Sequence, residues 1–241
     1  MSNNSKKKAQ AATAAMQGKK DRGSRTLIQL GVAAVLIALI AVIGFSIASK
    51  NSDDTATGAT PSAVTADGAI RIGDPDADVV VTVVEDFQCP ACKQFEALSG
   101  DTLSELTADN TIAVDYTPIS ILDRASSTNY STRAANAGIC VAEADMAAWP
   151  SWHEAMFAQQ PAEGGAGLSD DELIAIAETA GVDSPELASC ITDGSYNDFV
   201  ATTTQTVLES GVTGTPTVSV NGTVVANPSP DGLRTAIADA K

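Results

Sequence analysis

The residues best suited to chemistry are the two cysteines of the stretch Cys89-Pro90-Ala91-Cys92. An apolar, β-branched run (79–84) precedes them and helix-forming residues follow, so a strand should end and a helix begin at Cys89. Proline suits the first turn of a helix. Free N–H groups and the positive end of the helix dipole would stabilise a thiolate on Cys89. The spacing predicts thiol–disulfide exchange, with Cys89 as an exposed nucleophile of low pKa and Cys92 as its resolving partner.

The same two-residue spacing also occurs in zinc sites and in inert structural disulfides. Zinc needs two further ligands, which usually come as a second close pair. Here the remaining cysteines, Cys140 and Cys190, are single and far apart, and His153 is the only histidine of the chain. We therefore favour a redox-active pair and expect no metal, and both alternatives stay open at this point.

Charge is distributed unevenly along the 241 residues, whose formal net charge is −16. Residues 1–25 hold seven of the 14 basic residues and one acid, which leaves seven basic and 29 acidic residues in 26–241. Such an acidic body argues against nucleic acid and against anionic membrane surfaces as partners. Solubility is the simplest explanation of the acidity.

The N-terminal region predicts a membrane anchor. Residues 1–25 are polar and lysine-rich, which is typical of a disordered tail and here a cytoplasmic one. No charge occurs in 26–49, and its apolar core, 27–48, can span a hydrocarbon layer of about 30 Å. The positive-inside rule places the residues after this segment outside the cytoplasm. We favour a retained single-pass anchor, and the small residues Ser46-Ile47-Ala48 leave a cleaved signal peptide open.

A flexible linker rich in Ser, Thr, Ala, Asp and Gly, 50–68, is predicted before a folded α/β domain over 69–241. Helical patterns fill about 127–210, between strands. An Asn-Gly pair at 221–222 predicts a β-hairpin, and a closing helix follows. The predicted strands are, in order, 69–73, 79–84, 111–116, 217–220 and 223–225.

This order of elements resembles the thioredoxin fold with an inserted helical subdomain. Within that fold, residues 69–241 resemble the DsbA-type thiol–disulfide oxidoreductases, and are most similar to their membrane-anchored, extracytoplasmic members in actinobacteria. The cysteine motif combined with a distant Gly-Thr-Pro before a hairpin is specific, whereas either motif alone is weak. The segments that carry the resemblance are Glu85 to Cys92, the stretch with Trp149, Trp152, His153 and Phe157, and Val212 to Thr217.

The resemblance implies a role for Thr215 and Pro216. In the family this proline is cis, packs against the cysteine pair and keeps metal away. The backbone of Thr215 would pair with an extended substrate segment by strand addition. The alternative is an ordinary trans proline at the start of a strand. The resemblance implies no cofactor bound to this chain.

Two departures from the family concern the redox chemistry. Many oxidising members carry histidine where this chain has Ala91, so we expect a less oxidising site than in the strongest members. The acid that the fold often places six residues before the first cysteine is Val83 here. Glu85, two residues later on the same strand face, is the candidate substitute proton carrier. A solvated carboxylate at the strand end is the alternative for Glu85.

The second cysteine pair is expected to be structural. Four cysteines allow three pairings, and the adjacency of Cys89 and Cys92 selects Cys140 with Cys190. Closing a loop of that length would stabilise the fold by roughly 4 kcal/mol in the loop-entropy model. A second electron relay is the alternative. His153, among aromatic residues at helical spacing, is expected in the core, although a histidine near Cys89 could tune its thiolate.

Together these features favour an extracytoplasmic oxidase that donates its Cys89–Cys92 disulfide to exported proteins with free thiols. By resemblance, a quinone-linked membrane enzyme of the vitamin-K-epoxide-reductase type would reoxidise it. A reductase or isomerase, for example in cytochrome maturation, is the alternative within the same chemistry. A thioredoxin-like binding or chaperone module with an inert disulfide is the alternative outside it.

Overall fold

The computed structural model describes residues 60–241, whose strands form one five-stranded sheet in the order β1-β3-β2-β4-β5. β2 and β3 are parallel, whereas β1 pairs antiparallel with β3, and β4 pairs antiparallel with β2 and β5. The predicted α/β sheet is therefore present. The strands are β1 (Ile70–Ile72), β2 (Val80–Glu85), β3 (Ala113–Pro118), β4 (Thr217–Val220) and β5 (Thr223–Val224).

β2 is the central strand and determines where the cysteines lie. Its apolar residues fill the core, and Val81 and Val83 are fully buried. The strand runs one residue beyond the predicted apolar run and ends at Glu85, which is also buried. A turn then leads directly into helix α1 (Pro90–Ala108), so the cysteine motif lies at the carboxyl end of the central strand.

A short 3₁₀ helix (Asp123–Ala125) and five α-helices fill the chain between β3 and β4, where an all-helical insertion was predicted. The core of this insertion is aromatic, with Trp149 and Trp152 fully buried. The ring of Phe87, from the turn after β2, packs edge-on against Trp152 with centroids 5.4 Å apart, which joins the insertion to the sheet. The helices are α2 (Tyr130–Ala144), α3 (Trp149–Ala158), α4 (Asp170–Thr179), α5 (Leu187–Thr192) and α6 (Asn197–Glu209).

Local sequence signals set several of these boundaries. Ser169 and Glu172 form a capping box at the start of α4. Asn221 and Gly222 have φ angles of 45° and 79°, the left-handed conformation that a two-residue hairpin turn requires, and they join β4 to β5. A final helix, α7 (Pro230–Asp239), begins after Ser229, whose side chain accepts a hydrogen bond from the N–H of Gly232.

The packed chain begins earlier than the sequence suggests. The linker was predicted to continue to Gly68, but Ala63 and Val64 pack against the hydrophobic core. The carboxylate of Glu143, on α2, accepts hydrogen bonds from the backbone N–H groups of Ser62 and Ala63. This anchoring was missed because the partner lies 80 residues away in the sequence.

The predicted tail, membrane anchor and most of the linker lie outside the described residues. Within 60–241, no helix combines the length and the apolar character needed to cross a membrane.

Candidate active site

Cys89 lies immediately before the first residue of α1, in the position predicted from the motif. Its backbone is extended (φ −79°, ψ 117°), and its carbonyl oxygen accepts hydrogen bonds from the N–H groups of Cys92 and Lys93 at 3.1 and 3.2 Å. Both cysteines are thiols in this structure. The prediction of an exposed nucleophile is wrong, because Cys89 is only 8% exposed. Cys92 is fully buried.

The surroundings of the two thiols shift their pKa values in opposite directions. The pKa of Cys89 is lowered to about 5, chiefly by the hydrogen bond from Cys92, with smaller contributions from Thr215 and from the N–H groups of Cys92 and Ala91, and against the opposing effect of burial. The hydrogen bond to Cys89 and burial raise the pKa of Cys92 far above that of an ordinary thiol. Cys89 is therefore the thiolate near neutral pH, and Cys92 stays protonated.

Thr215 and Pro216 lie against the cysteine pair. The peptide bond between them is cis, as the resemblance implied. The sulfur of Cys89 lies 3.3 Å from the carbonyl oxygen of Thr215. The carbonyl needed for strand addition therefore lies beside the reactive sulfur, so a substrate segment paired there would lie next to Cys89.

Glu85 is not the solvated carboxylate that was its alternative interpretation. Its side chain is 1% exposed, and its Oε1 lies 2.7 Å from Nε2 of His153 on α3. Its charge contributes to the raised pKa of Cys92. The other oxygen, Oε2, is buried and has no hydrogen-bond partner among the described residues. Glu85 is thus a buried acceptor whose charge acts on the resolving cysteine.

His153 links Glu85 to a second carboxylate. Its Nδ1 lies 4.0 Å from Oε2 of Glu96, one helical turn after Cys92 on α1. Burial acts to lower the pKa of His153, but the charge and hydrogen bond of Glu85 raise it above the ordinary value. Burial and the charge of Glu85 raise the pKa of Glu96 to about 7, although His153 opposes this. Glu96 therefore titrates near neutral pH beside an imidazole whose pKa is raised.

One donor atom from each of these three side chains lies within 4.8 Å of the others, a spacing that could also suit a metal ion. The imidazole lies between the carboxylates and turns one nitrogen toward each of them. A metal would require the donors to converge on one point. The arrangement thus suits proton sharing better. Glu96 and His153 also line a cavity of about 660 Å³ between α1 and α3.

Cys140 and Cys190 form a disulfide, with Cα atoms 5.9 Å apart. The bond joins α2 to α5, so it lies within the insertion and ties two of its helices together. The structure thus separates the four cysteines into a dithiol at the end of the central strand and a disulfide in the insertion.

Two further side chains at the site were not predicted. Gln160, just after α3, donates from Nε2 to the carbonyl oxygen of Cys89 over 2.9 Å and covers the motif. No sequence signal indicates this long-range contact. Asp86 is completely buried beside the motif. Its position between a buried strand and a turn was an available signal, because aspartate in turns often bonds a backbone N–H two residues later.

Comparison with known proteins agrees with this geometry. The model of the family described as thioredoxin matches residues 65–239. The reduced form of the disulfide bond oxidoreductase DsbG from Mycobacterium tuberculosis is 36% identical, with a TM-score of 0.65 over 71% of this chain and 86% of that one. The oxidised DsbA of the same organism is 36% identical, with a TM-score of 0.64 over 71% of this chain and 92% of that one. The thiol–disulfide oxidoreductase MdbA from Corynebacterium diphtheriae is 20% identical, with a TM-score of 0.62 over 77% and 97% of the two chains, and it supports the fold alone.

The serine/threonine-protein kinase PknE of Mycobacterium tuberculosis is also similar, at 32% identity over 167 residues. The match covers 66% of this chain but only 29% of the kinase. The chain therefore spans less than a third of the length of this curated relative, and the kinase's name describes that protein only.

The family match covers most of the chain, and the cysteine motif, the cis proline and the helical insertion agree with it. The chain belongs to the thioredoxin family and, within it, to the DsbA-type thiol–disulfide oxidoreductases.

Proposed function

We propose that this protein is an oxidase that donates the Cys89–Cys92 disulfide to newly exported proteins. The carrying observation is the contrast between the thiols: the pKa of Cys89 is lowered to about 5, whereas that of Cys92 is strongly raised. A stable Cys89 thiolate favours the reduced protein, and this makes the disulfide a stronger oxidant.

The reaction starts when a substrate thiolate attacks the sulfur of Cys89. A mixed disulfide forms, the bond between Cys89 and Cys92 breaks, and Cys92 leaves as a thiolate. A second substrate thiolate then attacks the substrate sulfur of the mixed disulfide, and Cys89 leaves as a thiolate. The substrate has lost two electrons and gained a disulfide, and the enzyme has become a dithiol.

Cys92 needs a proton when it leaves, because its thiolate is strongly disfavoured in this buried position. Glu85 is the proposed carrier of that proton. The hydrogen bond to His153 and the proximity of Glu96 connect Glu85 to the cavity between α1 and α3, from which protons can be replaced. General acid–base assistance of this kind typically contributes 10²–10⁴-fold in rate.

The location and the reoxidant are part of the proposal. The apolar segment 27–48 with basic residues before it supports an anchored protein whose domain faces outward. The disulfide within the insertion also fits an oxidising compartment. The partner that reoxidises the dithiol is proposed to be a quinone-linked membrane enzyme of the vitamin-K-epoxide-reductase type. Protease digestion of intact cells tests the location: the domain should be cut, and protection would contradict it.

The function is tested by mixing the oxidised protein with a reduced peptide that carries two thiols. We expect the peptide to become a disulfide, one mole per mole of enzyme, while Cys89 and Cys92 become thiols. The variants Cys89→Ser and Cys92→Ser each lack the disulfide that accepts the two electrons, so neither should oxidise the peptide. An oxidised protein that leaves the peptide reduced would refute the oxidase.

A reductase is the second candidate, and Ala91 is the observation that favours it. Alanine supplies no cation to the thiolate, whereas a histidine at that position would. In the reverse assay, a reductase would reduce a peptide disulfide efficiently when supplied as the dithiol. We expect that rate to be lower than the rate of peptide oxidation.

A further inference from the structure

Asp86 is a completely buried carboxylate that the exchange reaction does not use. Its two oxygens accept three hydrogen bonds from three separate segments. Oδ1 accepts from the N–H of Gln88 over 2.9 Å and from the hydroxyl of Ser131 over 2.6 Å. Oδ2 accepts from the N–H of Leu122 over 3.0 Å. A buried carboxylate with this many donors is a fixed structural connection.

The first of these segments is the turn that carries the nucleophile. The N–H of Cys89 donates to the carbonyl oxygen of Asp86 over 2.9 Å, and this bond closes the turn. The side-chain bond to Gln88 fixes the residue between them. Together the two bonds determine where Cys89 meets the first turn of α1, and hence how the N–H groups of Ala91 and Cys92 face its sulfur.

The other two segments follow β3 in the chain. Ser131 lies in the first turn of α2, at the entrance of the helical insertion, and Leu122 follows β3. A negative charge at a helix N-terminus is favoured by the helix dipole and by unpaired N–H groups. Asp86 therefore connects the nucleophile turn to the insertion through a bond that is shielded from solvent.

We propose that Asp86 is a positioning residue that couples the placement of the insertion to the stability of the Cys89 thiolate. The insertion, through Ser131 and Asp86, holds the turn in the geometry in which α1 stabilises the sulfur. A shift of α2 is then transmitted to Cys89 over two hydrogen bonds. The inference rests on the proposed exchange chemistry at Cys89, but its readout is the thiolate itself, so it can fail independently of the oxidase.

The direction in which the pKa of Cys89 changes distinguishes a positioning role of Asp86 from a purely electrostatic one. If Asp86 acted only through its negative charge, removing that charge would favour the nearby thiolate and lower the pKa of Cys89. Loss of positioning acts in the opposite direction, because the sulfur loses N–H donors. Asparagine keeps the shape of Asp86, but its NH₂ group would face the N–H of Leu122, a contact between two donors.

The experiment measures the pKa of Cys89 from thiolate absorbance in the reduced full-length protein. We expect Asp86→Asn to raise this pKa by about one unit, a tenfold loss of thiolate at pH values below it. Ser131→Ala, which removes only the bond from the insertion, should raise it by a smaller amount. Because Ser131→Ala keeps the turn's own bonds, it remains informative if Asp86→Asn fails to fold.

Asp123→Asn is the matched control. Asp123 accepts from the N–H and the hydroxyl of Thr132, so it caps the same end of α2 without contacting the nucleophile turn. It should lower thermal stability and leave the pKa of Cys89 unchanged. A lowered or unchanged pKa in Asp86→Asn, an unchanged pKa in Ser131→Ala, or an equal rise in Asp123→Asn would each overturn the proposal.

Discussion

The stability of the reduced protein should depend on pH through Cys89. Its pKa is about 5 in the folded protein and 9.0 for an ordinary cysteine. The folded value is the lower one, so the stabilisation is fully present above about pH 9 and is lost as the pH falls through about 5. Replacing Cys89 by serine removes this stabilisation. The substitution should therefore lower the free energy of unfolding at neutral pH but not at pH 4.

The magnitude follows from the distance between pH 7 and the folded pKa. Two pH units at about 1.4 kcal/mol each give about 3 kcal/mol. Cys89 keeps 8% of its surface exposed, and solvent there screens part of the interaction, so we expect about 2 kcal/mol.

Urea unfolding of the reduced protein and of Cys89→Ser, between pH 4 and pH 8, measures this effect. The fluorescence of Trp149 and Trp152, both buried in the insertion, reports unfolding. The difference in unfolding free energy between the two proteins should grow from near zero at pH 4 to about 2 kcal/mol at pH 7. A difference that stays constant over this range would refute the stabilised thiolate.

Two other predictions concern the proton path and the second cysteine pair. Because the proton carrier is lost, Glu85→Gln should slow oxidation of a dithiol peptide by at least about tenfold, and it should leave the pKa of Cys89 unchanged. The exposed control Glu105→Gln should not slow this oxidation. An unaffected rate in Glu85→Gln would exclude the carrier role. The double variant Cys140→Ala, Cys190→Ala should lose roughly 4 kcal/mol of unfolding free energy with the potential of the Cys89 couple unchanged, and a shifted potential would instead indicate an electron relay.

Features with local causes could be predicted from the sequence. The start of α1 at Pro90, the hairpin turn at Asn221-Gly222 and the capping box at Ser169 each depend on neighbouring residues. The all-helical block and the pairing of Cys140 with Cys190 were also accessible, because periodicity and cysteine counting constrain them.

Features that depend on how the insertion docks could not be predicted. His153 bonds Glu85 across 68 residues, and Gln160 covers Cys89 across 71. The same reason explains the wrong expectation of an exposed Cys89. No periodicity or motif encodes such contacts, since they depend on where two separately formed elements meet.

The most direct test of the central claim is the reduction potential of the Cys89–Cys92 couple in the full-length protein, equilibrated with glutathione. The lowered pKa of Cys89 predicts a value around −120 to −180 mV, the range of proteins that donate disulfides. A value near −270 mV would match thioredoxin and contradict the oxidase.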